Sequence, residues 1–179
     1  MFGFHRLVAT AIVAGVMSLS GCASVGSSAQ NIVRYKIPGS SFPISNAVEL
    51  PPGATTVYLS GKVPPIADKS KSQNDPAAYG GDTEGQTIEV LKSIETQLRS
   101  MDLSLSDVIK MQAYLVAEPA KGGKMDFAGF MRGYSRFFGT TEQPNLPARS
   151  AFQVAGLVNP AWYVEIEVVA VRGLASVVK

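Results

Sequence analysis

The chain has 179 residues, 46% of them hydrophobic and 17% charged, a composition that excludes a disordered polymer and fits one compact domain with a sizeable core. Sixteen Lys and Arg face fourteen Asp and Glu, with no basic stripe, so the electrostatic capture that nucleic-acid binding needs is missing and no nucleic-acid partner is expected. The one histidine, His5, and the one cysteine, Cys22, both stand near the N-terminus. If that segment is a leader, a zinc site or a histidine-containing triad is excluded and no metal or cofactor is expected.

The start does read as a leader. "MFGFHR" is short and basic, and Leu7 to Leu19 is an uncharged apolar run, shorter than the roughly 20 residues a bilayer span needs. Two processing readings are open. "LSGC", Leu19 to Cys22, resembles a bacterial lipobox, whose cysteine is lipidated and becomes the new N-terminus; "SSAQ", Ser27 to Gln30, allows ordinary cleavage after Ala29. The lone Cys22 sits where the first would use it. The expected organisation is a signal peptide over 1–21, a flexible tether over 22–41 and a domain over 42–179. The corresponding address is the cell envelope, anchored on its periplasmic face through lipid, with a soluble periplasmic protein as second choice.

Packing is expected to begin near Phe42. "FPISNAVEL" and "TTVYLSG", separated by "PPGA", read as two antiparallel strands joined by a turn. Residues 64–85 carry Pro, Gly, Lys, Asp and Asn without periodicity and read as a long loop, of the kind that is usually functional or mobile. From Thr83 or Glu84 to Met101, Ile88, Leu91, Ile94, Leu98 and Met101 recur at helical spacing. Ile109, Met111, Ala113 and Leu115 then alternate with polar residues, as in a strand with one buried face. A second helix is marked by Phe127, Phe130, Met131, Tyr134, Phe137 and Phe138, with Asp126 as N-cap. Gly129 and Gly133 weaken it by about 1 kcal/mol each unless close packing recovers the loss.

The final strands are "ARSAFQVAGL" and "WYVEIEVVAVR". The order is ββαβαββ, an α+β fold with both helices on one face of a mixed sheet. Tyr163, Val169 and Val171 would then lie on the uncovered face, which points to a homo-oligomer.

Arg149 opens an apolar strand. A permanently charged guanidinium beside a core calls for an anion, either a carboxylate of the chain such as Glu165 or Glu167, or a ligand.

Several blocks, taken together in this order and spacing, resemble the Rid family, also called YjgF/YER057c/UK114: "LSGKVP" (59–64), "DVIKMQAYL" (107–115), "DFAGFMRGYSRFF" (126–138), "LPARSAFQVAGL" (146–157) and "VEIEVVAVR" (164–172). The resemblance implies a chorismate-mutase-like fold, a homotrimer with three clefts between subunits, and hydrolysis of enamines or imines of 2-oxo acids. It implies that Arg149 holds the substrate carboxylate, that Glu165 orients water or acts as base, and that Ser60 contacts ligand. It also exposes departures. Ile44 stands where deaminating members have tyrosine, Met131 where asparagine is frequent, and Ala151 where cysteine is frequent. Those changes make the cleft more apolar and favour a bulkier apolar acid. Two functions follow: an envelope lipoprotein with imine deaminase activity, or a non-catalytic module binding a carboxylate ligand or a partner.

Overall fold

The computed structural model describes Gly3 and residues 31–179. The expected signal peptide, Cys22 and the first part of the tether lie outside the described residues. The remainder of that tether is not a tether. Ile32–Tyr35 forms a strand, β1, with Ile32 0% and Arg34 1% exposed. The strand β2, Ala47–Glu49, pairs antiparallel with β1, and β7, Ser176–Val178, pairs with it in parallel. The expected hairpin between "NAVEL" and "TTVYLSG" is therefore absent: β2 joins β1, and β3, Thr55–Lys62, belongs to the other sheet.

That main sheet has four strands in the order β3-β6-β4-β5, with β4 at Val108–Val116, β5 at Ala148–Val154 and β6 at Val164–Arg172. β6 runs antiparallel to β3 and β4, whereas β4 and β5 are parallel, so the sheet is mixed as expected. The helices α1, Thr83–Arg99, and α2, Phe127–Tyr134, cover one face. Val90, Leu91, Ile94 and Leu98 of α1, Phe130 and Tyr134 of α2, Met111, Ala113 and Leu115 of β4, and Val164, Ile166 and Val168 of β6 form the principal core. Asp82 caps α1 by accepting from Gly85 N, and Asp126 caps α2 by accepting from Gly129 N. α2 is shorter than its aromatic pattern suggests; Phe138 follows it in a turn, stacked on Tyr134 at 4.9 Å between centroids.

The other face is partly covered within the chain. Ile32, Ile109 and Val171 form a second cluster with Leu50, Ala54, Val169 and Leu174, so Val171 is fully buried by the chain's own small sheet and turn, not left for a partner. Tyr163 packs against the helix-side core. The open part of that face instead carries Tyr58, 78% exposed, and Phe152, 45% exposed.

The segment 64–85 is folded. It contains a 3-10 turn, Pro76–Tyr79, capped by Asp75, and Ala78 and Tyr79 are buried against Ala161 and Trp162. The buried Glu118 accepts from the N–H and hydroxyl of Thr83, and Gln86 bonds Ala161 O and Tyr163 N. These contacts fix both the start of α1 and the approach to β6.

Gly133 explains how α2 tolerates its glycines. A Cβ there would lie 2.8 Å from Thr87 Cβ and 2.9 Å from Glu84 O, so α1 and α2 approach each other across this position. Alanine ordinarily favours a helix by about 1 kcal/mol over glycine. Here overpacking of the helix pair reverses the sign, and Gly133→Ala is expected to lower stability by about 1–2 kcal/mol in urea unfolding.

Candidate carboxylate-binding site

Arg149 is the second residue of β5, opposite Met111 of β4 and hence on the helix-covered face. β5 is an edge strand and α2 crosses beside it, so the guanidinium is enclosed by rings: its central carbon lies 4.2 Å from the Tyr134 centroid, 5.0 Å from Phe130 and 5.6 Å from Phe42. Phe130 and Tyr134 are four residues apart and so share one face of α2. Cation–π attraction of this kind contributes on the order of 0.5–2 kcal/mol per contact, which holds the group without cancelling its charge.

Among the described residues no carboxylate lies within 4.0 Å of Arg149. Nη2 meets only Met131 Sδ, at 3.1 Å, and a thioether is a weak acceptor. Nη1 is buried with no hydrogen-bond partner. Burial accordingly lowers the pKa of Arg149, with only the nearby Tyr134 hydroxyl opposing that direction. Tyr134 cannot serve as counter-ion: burial raises its own pKa, and its hydroxyl donates to Pro43 O at 2.9 Å. The expected alternative of a pairing with Glu165 or Glu167 does not occur within the chain.

Glu165 stands elsewhere. It alternates along β6 with the core residues Val164 and Ile166 and faces the opposite side of the sheet, across from Tyr114. A Cβ on Gly61 would be 2.0 Å from Glu165 Oε1, so the carboxylate lies directly over the glycine, where the β3–β6 register shifts between Leu59 and Lys62. Ser60 is exposed beside it. Glu167 accepts from the Tyr114 hydroxyl at 3.0 Å, which raises the Tyr114 pKa. Glu165, Glu167, Tyr114, Val154, Gly156 and Leu157 line a shallow hollow on this open face.

The residues singled out from sequence thus fall into two groups. Arg149, Met131 and Ala151 come together on the helix side, Ala151 packing against the core beside Arg149. Glu165 lies on the open side against Gly61, and Ser60 is exposed one residue before that glycine. Ile44 joins neither group: it lines a hollow with Arg34, Ser45 and Leu146, and Phe42, two residues earlier, supplies the ring that faces Arg149. Sequence reading missed Phe42, Phe130 and Tyr134 as the enclosure of Arg149. The i,i+4 spacing of the last two was the available signal, but it was absorbed as core pattern. It also missed why Gly61 is glycine, since the glycine–carboxylate approach depends on a strand more than one hundred residues away.

Because the far end of Glu165 can rotate away, Gly61→Ala is expected to cost less than about 1 kcal/mol of stability while displacing the carboxylate. A crystal structure of the variant together with its denaturation curve checks both halves of that outcome.

The chain is similar in sequence and fold to known proteins. The family model described as Endoribonuclease L-PSP matches residues 38–172. The mouse protein named 2-iminobutanoate/2-iminopropanoate deaminase is 33% identical over 138 residues, covering 77% of this chain and 87% of its own length. The crystal structure of Escherichia coli TdcF with bound serine superposes with a TM-score of 0.52 at 28% identity, covering 76% of this chain and 93% of that one. A Yersinia pestis Rid family protein, YyfB, shares the fold with a TM-score of 0.57 at 21% identity, over 80% and 98% of the two chains. With a family match spanning most of the chain and a helix-on-mixed-sheet topology that fits it, this protein belongs to the Rid/YjgF-UK114 superfamily.

Proposed function

We propose that the protein hydrolyses an imine or enamine derived from a 2-oxo acid, with Arg149 holding the substrate carboxylate. The observation that carries this reading is the enclosed guanidinium with an unpartnered Nη1 and no acidic neighbour. A half-buried cation with one fully buried, unpartnered nitrogen is costly without a counter-charge, and a planar carboxylate matches the fork of a guanidinium in a way lysine cannot reproduce. The deaminase name of the mouse relative supports the same reaction class.

The chemistry asks little of the protein. The carbon of a protonated imine is already electrophilic, so the site has to hold the acid, admit one water and aim it. Water oxygen adds to that carbon while Glu165 takes a proton from the water and passes it to nitrogen, making an ammonium leaving group. The C–N bond then breaks as Glu165 takes the remaining hydroxyl proton, leaving the 2-oxo acid and ammonia, which carries that proton off as ammonium. Ser60, exposed next to Gly61, contacts the ligand from the same side. The apolar lining supplied by Met131, Ala151, Phe42 and Phe130 favours a substrate with an apolar side chain.

Arg149 and Glu165 project from opposite faces of one sheet, so a single chain cannot bring both to one small substrate. The proposal therefore includes assembly: Glu165, Gly61 and Ser60 of one copy close the cleft over Arg149 of another, as the homotrimer implied by the family resemblance allows. The exposed Tyr58 and Phe152 on the open face support such contact.

A non-catalytic carboxylate-binding role is the second reading, favoured by Met131 Sδ standing in place of a better acceptor beside Arg149. Ammonia release from freshly generated 2-imino acids separates the two. Intact protein is expected to accelerate release, and Arg149→Lys to lose at least about 30-fold in kcat/KM, the scale of breaking a buried charge pair. Binding of 2-oxo acids without acceleration would establish the binding role instead.

The envelope address is part of the same proposal, supported by the basic start, the apolar run 7–19 and the lipobox-like Leu19 to Cys22. Wild-type protein is expected in the membrane fraction and Cys22→Ser in the soluble or uncleaved pool; identical fractionation of both would refute the lipid anchor.

A further inference from the structure

Arg34 is 1% exposed, more deeply buried than Arg149, and among the described residues it too has no carboxylate within 4.0 Å. Its partners are backbone carbonyls. Nη1 donates to Val108 O at 2.9 Å and Leu146 O at 2.7 Å, Nη2 to Ser106 O at 3.0 Å, and Nε to Ser176 Oγ at 3.4 Å. One side chain of β1 therefore ties together the entrance of β4, the strand β7 and the residue that stands two positions before β5.

The same short segment is gripped again by Ser45, whose hydroxyl donates to Leu146 O at 2.6 Å and whose N–H donates to Pro147 O at 3.0 Å. Asn145 Nδ2 reaches Ser106 O at 3.3 Å. Arg149 follows Pro147 by two residues on an edge strand, and edge strands open locally more readily than central ones. Its guanidinium has rings and a thioether around it but no strong acceptor to fix its orientation. The direction of the fork is thus set by where the strand begins.

Carbonyl partners also leave the Arg34 charge uncancelled. Burial lowers its pKa to about 10, still far above neutral, so it stays a cation at ordinary pH. The Tyr134 ring under Arg149 lies within electrostatic reach of both guanidinium groups.

We infer that Arg34 is a positioning residue for Arg149: its fork across the carbonyls of Ser106, Val108 and Leu146 fixes the start of β5, so that the Arg149 guanidinium meets a carboxylate in one orientation. The inference rests on the reading of Arg149 as the carboxylate holder. A lysine at 34 keeps the charge but cannot span three carbonyls with one fixed plane.

The test compares wild type with Arg34→Lys and with the milder Ser176→Ala, which removes only the Nε contact. Without any ligand, hydrogen exchange across residues 145–151 is expected to quicken, and the Arg149 Nε–H resonance to broaden, in both variants. With 2-oxobutanoate as probe, affinity is expected to weaken about tenfold in Arg34→Lys, the scale of a misplaced binding group. Unchanged exchange and an unchanged Arg149 signal overturn the inference; if Arg34→Lys does not fold, that result in Ser176→Ala alone suffices. Should wild type fail to bind 2-oxobutanoate, the reading of Arg149 fails, while the ligand-free measurements still decide whether Arg34 orders the strand.

Discussion

The structure turns on a guanidinium that the protein encloses but does not neutralise. Arg149 is packed between the rings of Phe42, Phe130 and Tyr134, and no carboxylate of the described chain comes within ion-pair distance. Aromatic faces stabilise such a cation far less than a paired acid would, Nη2 meets only the weak acceptor Met131 Sδ, and Nη1 is left without an acceptor. Glu165 and Glu167, the acidic residues of β6, lie one strand beyond β4 from Arg149. The sheet keeps them on the other face.

That separation has its own logic. Strand alternation places Arg149 and Glu165 on opposite surfaces of one layer. Gly61 lets the Glu165 carboxylate lie against β3 on the open face, the face that also carries the exposed Tyr58 and Phe152. The small sheet of β1, β2 and β7 covers the part of that face around Ile109 and Val171.

Much of this was legible in the sequence, for stated reasons. The 3.6-residue recurrence from Ile88 to Leu98 and the alternation from Met111 to Leu115 each admit one regular structure, and both formed; Ile109, expected on the same face, packs on the other, because β4 shifts register between Val108 and Lys110. Asp126 was readable as an N-cap because its side chain answers a local need of the helix it starts. Arg149 was readable because a charge at the mouth of an apolar strand is anomalous wherever the strand goes. The tether assignment failed since the four-residue strand Ile32–Tyr35 follows a Ser- and Gly-rich stretch and is too short to stand out from it, while its partners β2 and β7 lie elsewhere in the chain, β7 at the far end. The hairpin failed for the same reason: "NAVEL" finds its partner in β1, a choice that local propensity does not encode. Residues 64–85 lack periodicity yet pack through Tyr79 against Trp162, a contact between distant segments. Ile44 was placed by matching motif to motif; within this chain it lies in a hollow with Arg34 and Leu146, and Phe42 is the ring at the guanidinium.

The account is tested most directly by a crystal structure of the protein soaked with 2-oxobutanoate. It predicts a carboxylate held by both terminal nitrogens of Arg149 within a cleft closed by Glu165 of a neighbouring copy. A guanidinium that has swung onto an acidic side chain of the protein, or an acid bound elsewhere with the Arg149 cage empty, would contradict it.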